Sequence, residues 1–136
     1  MNIHIRWMIR RDMAEVLGIE KDYFEFPWYE EDFILCLRQR NCIGMVCEYD
    51  EKVVGYMIYE LHKARLHIIN LAVHPDYQRQ HVATQMMNKL KNKLHPERRT
   101  KLSTEVRDAN KIAHLFMRIL INHFDRLVGW IQIVFK

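Results

Sequence analysis

The sequence predicts an α/β fold of the α+β kind. The expected form is a mixed sheet that starts as an antiparallel meander, ends in a parallel strand pair, and carries helices on both faces. Three observations predict it. Cys42–Tyr49 and Val53–Leu61 are strand-like runs flanking the short polar turn Asp50-Glu51-Lys52, a hairpin. Leu66–Val73 is an apolar strand that leads into an amphipathic helix, with Val82, Met86, Met87, Leu90 and Leu94 on one face at helical spacing. Thr100–Val106 is again a strand, and because a whole helix intervenes it should pair parallel to Leu66–Val73 through a right-handed crossover.

The other elements follow in order. Ile3, Ile5, Trp7 and Ile9 alternate with His4, Arg6 and Met8, the period of a first strand. Asp12 to Glu15 has the spacing of a helix start, with Met13, Val16 and Leu17 as its apolar face, and the helix should fray beyond Gly18. Tyr23 to Trp28 is an aromatic connector broken by Pro27. A second helix spans about 29–40, with Phe33, Ile34 and Leu37 as its buried stripe and acids at its start, which suits the helix dipole. The central helix should run from Arg79 to Leu94 before Pro96 stops it. Asp108 can cap a last helix, about 109–120, and Leu127–Phe135 has the look of a final strand.

Composition narrows the class. A chain of 136 residues, 49% hydrophobic, fits one domain with a real core. No apolar run approaches the roughly 20 residues that span a bilayer. The first residues, Met1 to Arg6, lack a signal-peptide pattern, so a cytoplasmic location is expected. Cys36, Cys42 and Cys47 form no C-x-x-C pair and read as buried, inert thiols rather than a disulfide framework or zinc site. The eight histidines show no H-E-x-x-H spacing, so no metal is expected. A net charge of +4 suits an anionic ligand and does not by itself argue for nucleic acid. Six bases between Lys89 and Lys101 (Lys89, Lys91, Lys93, Arg98, Arg99, Lys101) read as a solvated face, although they could meet a phosphate or a ribosomal surface.

The strand–turn–helix at Leu66–Leu94 is where a ligand is expected. The first amides of a helix lack intrahelical partners, and the dipole adds partial positive charge there. Open α/β sheets also tend to bind ligands at the carboxyl ends of their strands.

The text of the turn is specific. The run Leu71-Ala-Val-His-Pro-Asp-Tyr-Gln-Arg-Gln-His-Val-Ala83 resembles the coenzyme A signature of the GCN5-related N-acetyltransferases (GNAT), Gln/Arg-x-x-Gly-x-Gly/Ala. Gln78 matches the first position and Ala83 the last, while His81 stands where the first glycine is expected. Phe26-Pro-Trp-Tyr-Glu-Glu-Asp-Phe33 and Thr104-Glu-Val-Arg-Asp-Ala-Asn110, with Ala113 and Phe116 following, match the subgroup that acetylates protein N-termini, the ribosomal-protein alanine type. The resemblance spans about residues 3–129 as a single domain.

That resemblance implies acetyl transfer from acetyl-CoA to a primary amine, a protein or peptide N-terminus. It places the pyrophosphate on backbone amides of Arg79, Gln80, His81, Val82, Ala83 and Thr84, and the pantetheine beside Leu71, Ala72 and Val73, between two splayed strands. Glu105 becomes the general base; on spacing alone it would be a solvent-facing strand residue paired with a Lys or Arg. Asn110 becomes a hydrogen-bonding partner of the cofactor arm, where its position alone says only first turn of a helix. Phe26, Trp28 and the acids Glu30, Glu31 and Asp32 become the acceptor side; read plainly they are core aromatics and a helix start.

Two departures bear on activity. The family's acid, a Tyr seven residues after the Asn110 position, falls on Met117, whose thioether has no proton to give. The chain ends at Lys136, short of the family's last strand, leaving a sheet edge that a second copy could pair with as a homodimer. These departures keep an alternative open, a degenerate module that binds coenzyme A, or regulates a partner, without turnover.

Overall fold

The computed structural model describes residues 2–104, 118–119, 122 and 126, and the backbone of 132–135. Its strands are β1 (His4–Trp7), β2 (Cys42–Tyr49), β3 (Lys52–Leu61), β4 (Arg65–Val73), β5 (Lys101–Thr104) and β6 (Gln132–Phe135). Its helices within residues 2–104 are α1 (Met13–Tyr23), α2 (Glu30–Leu37) and α3 (Val82–Leu90), and residues 118–119, 122 and 126 are also helical. The six strands form one sheet in chain order. β1 to β4 pair antiparallel, and β4–β5 and β5–β6 pair parallel. The meander, the parallel switch and the two-sided helix cover all agree with the sequence reading.

Two apolar cores flank the sheet. On one face α1 and α2 bury Val16, Ile19 and Phe33 against Val46, Tyr56, Ile58 and Ala72. On the other α3 buries Val82, Met86, Met87 and Leu90 against Met45, Cys47, Met57, Leu71 and Val73. Gly55 lets α3 lie close: a Cβ there would sit 3.1 Å from Val82 Cγ1 and 3.2 Å from the Ala72 carbonyl.

A β-bulge in β4 positions the site. Ile58 pairs with Asn70 but Tyr59 pairs with Ile68, so Ile69 is an extra residue. Side chains alternate along a strand, and one inserted residue swaps the faces of everything beyond it. Leu66, Ile68, Leu71 and Val73 therefore all face α3, although Ile68 and Leu71 are three apart. Asn70 points the other way, toward α1.

Several element ends differ from expectation. α1 runs through Gly18 to Tyr23, because Ile19 and Glu20 are buried on its inner face and packing outweighs the intrinsic cost of glycine. Asp12 does not cap it; its carboxylate is taken by Arg6 and the Ile9 amide. α2 is shorter, ending at Leu37 in a tight connection to β2. The alternation of β1 fails at Trp7 and Ile9, both exposed, because the strand ends and a 3-10 turn begins at Arg10.

Candidate functional site

The loop between β4 and α3 is built on itself. The His74 amide donates to the Val54 carbonyl at 2.7 Å, and a 3-10 turn follows at Pro75–Tyr77. His74 Nδ1 accepts the Asp76 amide at 3.1 Å. Gln78 Nε2 donates to the Val73 carbonyl at 3.1 Å, folding the loop back on the end of β4. The Tyr77 ring packs edge-on against Tyr49 and His74, with centroids 5.9 and 5.6 Å apart. Gln78, the first residue of the signature, thus acts as a loop clamp.

α3 starts at Val82, three positions later than the expected Arg79. The reason is local backbone hand. Arg79 and His81 have φ of 63° and 62°, which a right-handed helix cannot contain, while Gln80 between them has ordinary hand. Such alternation turns successive N–H groups toward a common hollow that suits an anion. Among the described residues, the amides of 78–84 donate to no backbone carbonyl; the first helical bond runs from Gln85 to the His81 carbonyl at 3.0 Å. Gln78, Arg79, Gln80 and His81 are exposed, whereas Val82 and Ala83 bury their side chains and Thr84 is half-buried. His81 holds the left-handed conformation that favours glycine. Its ring is exposed and makes no cap bond.

Beside this loop, β4 extends beyond the described residues of β5. Described β4–β5 pairing runs from Arg65↔Lys101 to Ile68↔Thr104, the last described residue of β5. Ile69 to Val73 continues β4 with a partner on the β3 side only, among the described residues. Leu71, Ala72 and Val73 are all buried there. Thr104, the last paired residue of β5, is fully buried, and its hydroxyl has no partner among the described residues. A buried hydroxyl without a partner among the described residues asks for a polar one, and a ligand amide lying along β4 would supply it. Just below, His67 Nδ1 and Ser103 Oγ meet at 2.6 Å across the same strand pair.

The α1 face holds a polar cluster that the sequence reading missed. The Glu20 carboxylate is fully buried and accepts from the Tyr56 hydroxyl, from Asn70 Nδ2 at 2.8 Å and from the Trp28 amide at 2.7 Å. It ties the β4 bulge to the Phe26-Pro-Trp connector. Asn70, a lone amide in an apolar strand, was the available signal. Trp28 packs edge-on against Phe33 at 5.0 Å, while Phe26 stays exposed. Glu30, Glu31 and Asp32 are exposed at the start of α2, and Asp32 accepts the Tyr29 amide at 2.8 Å. Glu105, Asn110 and Met117 lie outside the described residues.

Two further readings can be placed. The basic run is mostly exposed, but Arg99 is committed, donating to the carbonyls of His62 and Lys93 at 2.9 and 2.7 Å. Among the described residues, no group of three or more His, Cys, Asp or Glu could hold a metal ion, and no helix is long and apolar enough to cross a membrane.

Comparison with known proteins adds to this geometry. Residues 13–120 match the model of the Acetyltransferase (GNAT) family. Comparison with curated proteins finds no match. Among solved structures, a ribosomal-protein-alanine N-acetyltransferase from Escherichia coli is similar, with TM-score 0.70 and 23% identity over 88% of this chain and 76% of that one. A ribosomal-protein-alanine N-acetyltransferase from Brucella melitensis has TM-score 0.66 and 18% identity over 88% and 90%. An aminoglycoside N-acetyltransferase, AAC(6')-Iy, solved in complex with CoA, has TM-score 0.66 and 13% identity over 86% and 89%. These structural likenesses concern the fold, and their acceptors differ. The family match covers most of the chain, and it falls on the bulged strand, the left-handed turn and the helix start described above: this chain belongs to the GNAT family of acetyltransferases, which take their acetyl group from acetyl-CoA.

Proposed function

We propose that the chain transfers an acetyl group from acetyl-CoA to a protein or peptide N-terminal amine. The observation that carries the coenzyme half is the left-handed turn at Arg79 and His81, which leaves the amides of 79–84 without backbone partners among the described residues at the mouth of α3. The diphosphate would sit on those amides, and the pantetheine would lie along Leu71, Ala72 and Val73, where β4 continues past its described pairing with β5. Main-chain donors need no particular side chain, which is how His81 is compatible with the site.

The chemistry then needs a base, a held carbonyl and a leaving thiolate. An N-terminal ammonium has a pKa near 8, so a carboxylate at Glu105, acting directly or through water, takes its proton at neutral pH. The freed amine attacks the thioester carbon, the tetrahedral oxyanion collapses, and the thiolate leaves. Asn110 would hold the coenzyme arm. Met117 cannot protonate the sulfur, so the thiolate leaves without a dedicated acid and turnover is slow. The acceptor half is supported by the aromatic connector, which the Glu20 cluster holds to the bulge, and by the exposed acids Glu30 and Glu31, which would attract a cationic amine.

The test is thiol release from acetyl-CoA with a panel of peptides and small amines. Turnover with peptide N-termini that disappears in Glu105→Gln supports the proposal. Turnover only with small-molecule amines would reassign the acceptor. Tight coenzyme binding without thiol release would instead favour the non-catalytic module to which Met117 points.

A further inference from the structure

The sequence reading took the three cysteines as separate inert thiols; the structure pairs two of them. Cys36, on the last turn of α2, and Cys42, the first residue of β2, bring their sulfurs to 2.7 Å. Both are free thiols, Cys36 half-exposed and Cys42 buried. The connection between them is held by its own backbone bonds. Arg38 N reaches Ile34 O at 3.1 Å, Gln39 N reaches Cys36 O at 3.0 Å, and Cys42 N reaches Gln39 O at 3.1 Å. Leu61 N on the neighbouring strand reaches Asn41 O at 2.7 Å. The two sulfurs are therefore held together by the turn rather than meeting by chance motion.

We propose that Cys36 and Cys42 form a reactive dithiol that small disulfides of the glutathione type convert, reversibly, to an intramolecular disulfide. Cys36 is the attacking group: the hydrogen bond from Cys42 holds its thiol below the usual range, while the same bond and burial push Cys42 up. The Cys36 thiolate attacks one sulfur of the small disulfide, forms a mixed disulfide and releases the first small thiolate. Cys42 then loses its proton to solvent and attacks the Cys36 sulfur. The protein S–S bond forms and the second small thiolate leaves. Two protein thiols are oxidised and one small disulfide is reduced to two thiols. Exposed Arg38 and Arg40 lie between the two cysteines in the chain, while the Glu60 carboxylate opposes ionisation of both thiols less strongly than the bond from Cys42 favours that of Cys36. Cys47 is fully buried, with its thiol pushed up to about 12 by burial, and takes no part. The product would tie the end of α2 to the sheet. This inference does not depend on the transferase reading.

The full chain, incubated with glutathione disulfide, is followed by intact mass and peptide mapping under non-reducing conditions. The expected product has lost two hydrogens, carries no adduct, links Cys36 to Cys42, and reverts with dithiothreitol. Cys42→Ser should stop at one glutathionyl group on Cys36, and Cys36→Ser should not react. A wild-type protein that keeps a stable adduct, links only between molecules, or stays unmodified in excess reagent overturns the proposal. Should either variant fail to fold, the mapped wild-type linkage decides alone.

Discussion

At the scale of single residues, two positions at the site carry opposed costs. His81 sits at φ 62°, which a non-glycine residue holds at roughly 1–2 kcal/mol. Glycine there would lose about 0.5–1 kcal/mol to its freer unfolded chain. His81→Gly should therefore raise the thermal midpoint slightly and, by clearing a side chain from the amide hollow, lower the acetyl-CoA Kd several-fold. Calorimetric titration checks the second part, and an unchanged Kd would mean that the exposed ring never obstructs the diphosphate. Thr104 is the converse case. Its buried hydroxyl has no partner among the described residues, so Thr104→Val should stabilise the ligand-free protein by about 1 kcal/mol. If the hydroxyl meets the coenzyme, the same change weakens binding by a similar amount, about five-fold. Stability up and affinity down, measured on one variant, is the expected pair; affinity unchanged would take Thr104 out of the site. His81 was visible in the sequence as a missing glycine. The Thr104 hydroxyl was not, because satisfaction of a polar group depends on neighbours distant in the chain.

At the scale of elements, the sequence misread Asp12 for a related reason. Its spacing to Glu15 suggested a helix cap, yet local pattern cannot see a partner on another strand. Arg6 of β1 grips both Asp12 oxygens at 2.7 and 2.8 Å and also reaches Glu48 of β2 at 2.8 Å. This joins the edge of the sheet to the start of α1. Burial alone would raise the Asp12 carboxyl, but the bonds from Arg6 and the Ile9 amide outweigh it and hold the group below its usual range. A depressed folded value has a defined sign. The stability it contributes is complete above the unfolded pKa, about 3.9, and is lost as pH falls through the folded value. Urea melts should show no pH dependence from this group between pH 7 and 5, where its contribution is full, and a decline below about pH 4, and Asp12→Asn should flatten that decline. Arg6→Ala should cost about 3 kcal/mol at pH 7, because it strands a buried carboxylate. A loss under about 1 kcal/mol would class the bridge with ordinary surface pairs. Glu15, the other half of the misread cap, likewise looks outward to the sheet, accepting the Val53 amide at 2.9 Å.

At the scale of the whole molecule, topology was the most legible feature. Hairpin spacing and an intervening helix leave few ways to order Cys42–Thr104, and the sheet takes the expected one. The bulge was illegible, since Ile69 is one more apolar residue in an apolar run, although it decides which side chains face α3 and which face α1. A ligand that lies along Leu71–Val73 would touch both the α3 start and the sheet, elements that exist together only in the folded chain. Binding should then stabilise the whole fold by mass action, by about 2.7 kcal/mol at a hundred times Kd. Acetyl-CoA should raise the thermal midpoint progressively with concentration, and the slope should return the calorimetric Kd. Glu105→Gln separates holding from chemistry. A base removed without its shape should keep the full ligand-induced shift while thiol release stops. A variant that loses both shift and turnover would show Glu105 to be structural, and one that keeps both would send the search for the base to another residue.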